Sequence, residues 1–209
     1  MRTSSPTRPL LRTGILALAG VVTLGATAEA SPEAIWNVDK SHTEVNFEVR
    51  HFFTPVNGSF RDFDITLDYD PENPESSQVD ATIQVASVDT GNDDRDQHLR
   101  TADWFNAEEW PTITFESRSV RSEGPNQLVA VGDLTIKDVT REVEMPIEVL
   151  GIQEIPSEMQ EMIGAEQVAS FRANLEIDRR DYDVGTGRWA ETAVVGAPVN
   201  IEIVLEAGR

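Results

Sequence analysis

From Ile35 onward apolar and polar residues alternate one for one, and this limits the chain to strands with one dry face and one wet face. Val45, Phe47 and Val49 show the pattern, as do Phe63, Ile65, Leu67 and Tyr69, and then Val79, Ala81, Ile83 and Val85. It continues through Ile113 and Phe115, Val129 and Val131, and Val143 to Val149, then Phe171 to Ile177 and Val199 to Leu205. About eight strands are expected, with Asn57-Gly58, Asp70-Pro71-Glu72-Asn73-Pro74, Gly124-Pro125-Asn126 and Gly196-Ala197-Pro198 bending or interrupting the ladder. No βαβ alternation is present, so the sheet should be antiparallel. A closed barrel and a two-sheet sandwich both satisfy this pattern. The difference bears on function, because a barrel can enclose a small ligand whereas a sandwich fills its middle with its own side chains.

Two segments depart from the alternation. Between Asp93 and Asn106, Leu99, Ala102 and Phe105 recur at helical spacing behind acidic residues suited to a helix N-terminus. Ser157-Glu158-Met159-Gln160 has capping-box spacing and is followed by Met162, Ile163 and a stop at Gly164. One or two short helices are therefore expected in an all-β chain.

The 209 residues include 17 Lys and Arg against 37 Asp and Glu, a formal charge of −20, and no cysteine. Such a surface repels polyphosphate, which argues against nucleic acid as a partner. The absence of cysteine removes thiol catalysis and thiolate metal sites. At the N-terminus Arg2, Arg8 and Arg12 precede an uncharged stretch from Thr13 to Ala28, and Ala28-Glu29-Ala30 gives a small-x-small site. Residues 1–30 are expected to be a signal peptide cleaved after Ala30 by the Sec route, leaving 31–209 as a single periplasmic domain. Three Arg and one Glu go with that segment, so 17 basic and 37 acidic residues become 14 and 36, and the charge becomes −22.

Several motifs follow one another along the chain. Trp36-Asn37-Val38-Asp39-Lys40-Ser41-His42, Phe47-Glu48-Val49-Arg50-His51 and Val56-Asn57-Gly58-Ser59-Phe60-Arg61-Asp62-Phe63 come first. Ser87-Val88-Asp89-Thr90-Gly91, Arg95-Asp96-Gln97-His98-Leu99-Arg100, Asp103-Trp104-Phe105 and Trp110-Pro111-Thr112-Ile113-Thr114-Phe115-Glu116-Ser117 come next, followed by Val131 through Arg141. In this order they resemble the YceI-like family of periplasmic proteins. The chain departs from the family at Asp183, where glycine is frequent, with Gly185 two residues later, and the connection from Gly151 to Val168 looks particular to this chain.

The resemblance implies a lipocalin-like, extended antiparallel β-barrel whose interior holds a polyisoprenoid lipid, of the quinone-precursor or prenyl-phosphate type. Each isoprene unit moved out of water contributes about 3–4 kcal/mol gross at about 0.8 kcal/mol per carbon group. Eight such units nominally exceed the affinity ceiling of roughly 20 kcal/mol, so chain ordering and the competing membrane offset most of that gain.

Phe47, Phe63, Ile83, Val85, Phe115, Leu134, Ile136, Phe171 and Leu175 are candidates for the lumen, with Trp104 and Phe105 closing one end. Arg95 and Arg100 are candidates for an anionic head group at a mouth, among the scarce cations that also include Arg50, Lys137, Arg141 and Arg179. Packing within the core and neutralisation of nearby carboxylates are the competing uses of these side chains. His42, His51 and His98 pair with no second ligand on one element, so no metal site is expected. Asn92-Asp93-Asp94-Arg95-Asp96 lacks the glycine and distant glutamate of a calcium loop, and helix capping with an Arg95 to carboxylate bridge is the expected use. No nucleophile elbow, zinc-protease pair, phosphate loop or dinucleotide fingerprint occurs. Carriage or storage of a lipid without catalysis, and without a cofactor beyond that lipid, is the expectation, for a monomer or homodimer. A β module that carries no ligand and binds a membrane or redox-protein partner is the alternative, and an enzyme acting on an isoprenoid is a lesser one.

Overall fold

The computed structural model describes Met1, residues 35–191 and residues 193–209; the expected signal peptide otherwise lies outside the described residues. Among the described residues eleven antiparallel strands form one sheet. They are β1 (Ile35–Val38), β2 (Glu44–His51), β3 (Thr54–Phe60), β4 (Phe63–Asp68), β5 (Gln78–Gln84), β6 (Val88–Asp89), β7 (Thr112–Gly124), β8 (Gln127–Ile136), β9 (Val139–Glu154), β10 (Gln167–Asp178) and β11 (Val195–Gly208). Three pairs of these are single staves broken by a short interruption. β1 and β2 lie in succession along β11; β3 and β4 pair with β2 and β1; β6 and β5 pair with β3 and β4. The eleven segments therefore make eight staves, matching the number of alternating runs.

Pairing of Asn37 with Gly208 and of Val38 with Ala207 joins the first stave to the last and closes the barrel. Closure removes the long exposed edges that an open sheet of this size would carry. It also settles the choice between barrel and sandwich that alternation left open.

Turn residues act differently from expectation at one place. Asn57 and Gly58 lie inside β3, and the hairpin turn falls at Phe52, whose φ is 50°. Gly58 is needed for space: a Cβ there would stand 2.3 Å from the Phe47 ring. Gly196-Ala197-Pro198 interrupts its ladder as expected, through the register shift between Val195 and Val199 within β11. The other two segments also fall where expected: Asp70 to Pro74 lies between β4 and β5, and Gly124 and Asn126 are both at positive φ at the turn from β7 to β8.

Helix α1 spans Asp93–Leu99 and α2 spans Ser157–Ile163. Asn92 caps α1, accepting the Arg95 backbone N–H at 3.0 Å. The helix ends seven residues before Asn106 because tight turns take up its last carbonyls. Thr101 donates to His98 through both its N–H and its hydroxyl, and Phe105 N–H donates to Leu99. Trp104 and Phe105 therefore sit on turns after the helix. In α2 no capping box forms: Pro156 is the cap, and the Gln160 amide donates to the Ile155 carbonyl at 2.9 Å. Gly164 ends the helix at φ 77° as expected.

Candidate functional site

The barrel encloses an apolar cavity of about 130 Å³, measured as room for the centres of water-sized molecules, against the roughly 10–15 Å³ that a single water needs on that measure. Alternation builds its wall. On β4 and β5, Ile65 faces Ala81 and Leu67 faces Val79, and all four side chains line the cavity. Ile113 and Phe115 of β7 pair with Ile136 and Leu134 of β8, and Ala173 of β10 pairs with Ile147 of β9 and Ile203 of β11. Between Leu128 and Ile136, the wall runs about 26 Å along β8 at about 3.3 Å per residue.

Among the described residues, no lining side chain is charged. Its neutral polar groups collect at one end, where Tyr69, Ser77 and Gln78 lie. The β4–β5 register that sets Leu67 opposite Val79 carries on to place Tyr69 beside Ser77. The Tyr69 ring meets Phe171 edge-on with 5.1 Å between centroids, and Trp36 donates its indole N–H to the Tyr69 carbonyl at 2.8 Å. The Ser77 hydroxyl accepts the Asp70 N–H at 3.3 Å. Burial, followed by the charge of Asp70, holds the Tyr69 phenol above its usual value and does the same to the Asp68 carboxyl. Outside this end the carboxylates of Asp80, Glu116, Asp133 and Glu142 stand in one cross-strand row. Arg118 bridges the last two at 2.6 and 2.8 Å.

The opposite end is stoppered. Val85 and Val88 of the third stave, Trp104, Tyr182 and Val184 are all buried there. Arg179, 3% exposed, donates to the carbonyls of Val184, Gly185, Trp189, Val195 and Gly196 and so ties two loop turns to the start of β11. Burial pulls its basicity down. Asp103 accepts from Arg188, from Trp189 at 3.3 Å and from His98 at 3.4 Å, and these bonds depress its carboxyl to about 2.

Of the residues proposed from sequence, Ile83, Phe115, Leu134, Ile136, Phe171 and Leu175 line the cavity together. Phe63 and Val85 are buried in the core but beyond the cavity, on the stoppered side, and Phe47 and Phe105 pack against that core around Phe60. Trp104 belongs to the stopper and does not line the cavity. Arg95 and Arg100 lie at the stoppered end, not at the polar one. Arg95 donates to the Thr90 hydroxyl and carbonyl, both at 2.7 Å, so the expected carboxylate bridge does not form, and Asp96 takes the Thr90 N–H instead. Arg100 donates to the Val88 carbonyl at 2.9 Å. Lys137 and Arg141 hold the carbonyls of Asp183 and Asp181 in the same region.

Sequence reasoning missed Ile65, Leu67, Tyr69, Val79 and Ala81, although each shares the parity of Phe63 or Ile83. It also missed Ile201, Ile203, Leu205, Met145 and Ile147, which the same parity on β11 and β9 would have given. Val120 was hidden by a different cause. The register shift between Ser117 and Ser119 lets an even-numbered residue face inward on a strand whose earlier inward residues are odd.

A closed antiparallel barrel of eight staves with a stoppered base and an uncharged apolar lumen is a lipocalin-like fold. The YceI-like domain model matches residues 36–207, and the chain belongs to the YceI-like family. Protein YceI of Escherichia coli O6:H1 is 33% identical over 179 residues, covering 84% of this chain and 90% of its own. A UPF0312 protein of Ectopseudomonas mendocina is 34% identical over 177 residues, covering 84% and 88%. Among solved structures, Burkholderia cenocepacia BcnA superposes with a TM-score of 0.73 at 29% identity, covering 82% of this chain and 99% of that one. A polyisoprenoid-binding domain from Saccharophagus degradans shares the fold, with a TM-score of 0.60 at 14% identity, covering 84% and 98%.

Proposed function

We propose that this protein carries or stores a polyisoprenoid lipid in the barrel lumen without transforming it, and that the lipid head is uncharged. The observation that carries this reading is the lining itself: a continuous cavity walled mainly by Ile, Leu, Val, Phe, Ala and Met, with no charged side chain among the described residues. An apolar tail gains by leaving water there, and a charged group placed inside would lose its hydration with no counter-charge. Tyr69, Ser77 and Gln78 offer neutral hydrogen bonds at one end, which suits the oxygens of a quinone or phenol. The nearby cation Arg209 is engaged with Gln167 at 3.0 Å and lies over the Trp36 ring at 4.7 Å. A prenyl phosphate would therefore meet Asp68, Asp70, Asp80 and Glu116 without a dedicated basic cradle. The polyisoprenoid binding of the Saccharophagus degradans domain supports the ligand class.

The N-terminal run of basic, then uncharged, then small residues supports export of the carrier to the periplasm, with cleavage after Ala30 leaving 31–209 as a single domain. Among the described residues no imidazole, carboxylate or amine lines the lumen beside the hydroxyls of Tyr69 and Ser77, which supports carriage over catalysis.

Organic extraction of the purified protein followed by mass spectrometry tests the reading. Recovery of one neutral prenyl lipid per chain is expected, with uptake of an added prenyl quinone exceeding uptake of the matching prenyl phosphate. Extracts that stay empty, with no uptake of either, would overturn carriage; preference for the phosphate would overturn the neutral head alone.

A further inference from the structure

We infer that Asp39, His42 and Glu206 form a binding site for a divalent transition-metal cation on the outside of the barrel, at the seam where the first stave meets the last. Asp39 and His42 belong to the turn between β1 and β2, and Glu206 lies on β11 beside the closing pair of Val38 and Ala207. Three ligand atoms, one from each residue, lie within 4.8 Å of one another. His42 Nδ1 is 2.9 Å from Asp39 Oδ2 and 3.6 Å from Glu206 Oε1. Around a tetrahedral zinc with bonds of about 2.0–2.1 Å, ligand atoms stand about 3.3 Å apart, and the two observed separations bracket that edge.

The backbone holds the three residues in place. Asp39 N–H donates to the Glu206 carbonyl at 2.8 Å, and His42 N–H donates to the Asp39 carbonyl at 3.2 Å. The Ser41 N–H donates to Asp39 Oδ1 at 2.8 Å, leaving Oδ2 turned to the imidazole. On the other side, Glu206 N–H donates to the hydroxyl of buried Thr43 at 3.3 Å. The neighbouring cation Lys40 is drawn away to Asp64 at 2.6 Å, so no ammonium competes for the two carboxylates. One imidazole and two carboxylates form a mixed nitrogen and oxygen set that suits Zn²⁺, Ni²⁺ or Cu²⁺ better than Ca²⁺ or Mg²⁺, which prefer oxygen alone. The metal displaces the Nδ1 proton, and water fills the remaining positions because all three side chains are at least one-third exposed. Bound there, it links the first stave to the last across the pairing that closes the barrel.

Calorimetric titration of the purified protein, free of any polyhistidine tag, with Zn²⁺ should give one saturable site per chain. Co²⁺ should give visible absorption of the low-coordinate type. His42→Ala and Glu206→Gln should each weaken Zn²⁺ binding at least tenfold and abolish the rise in Tm that Zn²⁺ gives the parent, while Ca²⁺ gives none. Circular dichroism checks that each variant folds, and the Co²⁺ spectrum of the unaltered chain tests the site if one does not. Failure to saturate at one ion per chain would overturn the inference. So would binding equally strong in both variants, which is adventitious capture by other surface carboxylates.

Discussion

The guanidinium of Arg179 lies over the indole of Trp104, 5.4 Å from the ring centroid, and this stack is the centre of the barrel's stopper. Trp104 in turn stands 5.8 Å from Trp189 and 6.0 Å from His98. A planar cation with five N–H groups can serve five carbonyls and an aromatic face at once, which an ammonium cannot.

Arg179→Ala should therefore destabilise the protein by about 3–5 kcal/mol, because it leaves buried carbonyls without donors. Arg179→Lys should recover less than half of the loss. Urea unfolding of the two variants checks both outcomes.

Gly185 has φ 62°, and a Cβ built on it would stand 2.4 Å from Trp104 Cζ3. Gly185→Ala should cost about 2 kcal/mol or more through left-handed strain and displacement of the indole together. Reduced Tm with altered tryptophan fluorescence is the expected reading; an unchanged Tm would show that the stopper gives way freely.

Asp103 holds the stopper from the outside, and its carboxyl is depressed to about 2 from an ordinary 3.8, first by Arg188 and then by Trp189 and His98. A depressed value means that the charged form is favoured by folding. The stabilisation is thus complete above the unfolded value and disappears as pH falls from about 4 towards about 2. Tryptophan fluorescence should shift within that window, and Asp103→Asn should reduce the shift. Equal shifts in both proteins would assign it to other carboxyls, such as Asp178, also held near 2 by Arg180.

Phe115 projects into the lumen and is 5% exposed. Phe115→Arg should abolish retention of a prenyl lipid, since an unpaired guanidinium in an apolar cavity is costly. Ala173→Phe fills the same space without charge and should lower lipid uptake while leaving the chain folded. Normal uptake by a folded Ala173→Phe protein would place the ligand elsewhere.

Alternation made the face of each strand legible but not the height of a residue along the barrel. Phe63 and Ile83 are direct partners on one inward face, yet Ile83 lines the cavity and Phe63 does not. Parity is a local property of the backbone, whereas height depends on strand stagger and on which loops fold over the ends. The same limit explains Arg95 and Arg100. Their motif was recognisable, but the end of the barrel they reach depends on where α1 packs.

Asp183, where the family often has glycine, does adopt the left-handed conformation, at φ 53°, and Lys137 takes its carbonyl at 2.7 Å. The change from glycine pointed to a different turn, yet the left-handed backbone is kept. The turn's partner, 46 residues away in sequence, was not foreseeable.

By itself the sequence determined the strands, the antiparallel class, the acidic exterior and an apolar interior, because these follow from the two-residue period and from residue type. Only the tertiary structure decided that the sheet closes and that Arg179 builds its stopper. It also decided that the cavity's neutral polar groups gather at Tyr69 and Ser77, and that Glu206 comes beside Asp39 and His42. Each of these depends on contacts between segments distant in the chain, and their registers are set by the bulges and breaks that make eleven segments into eight staves.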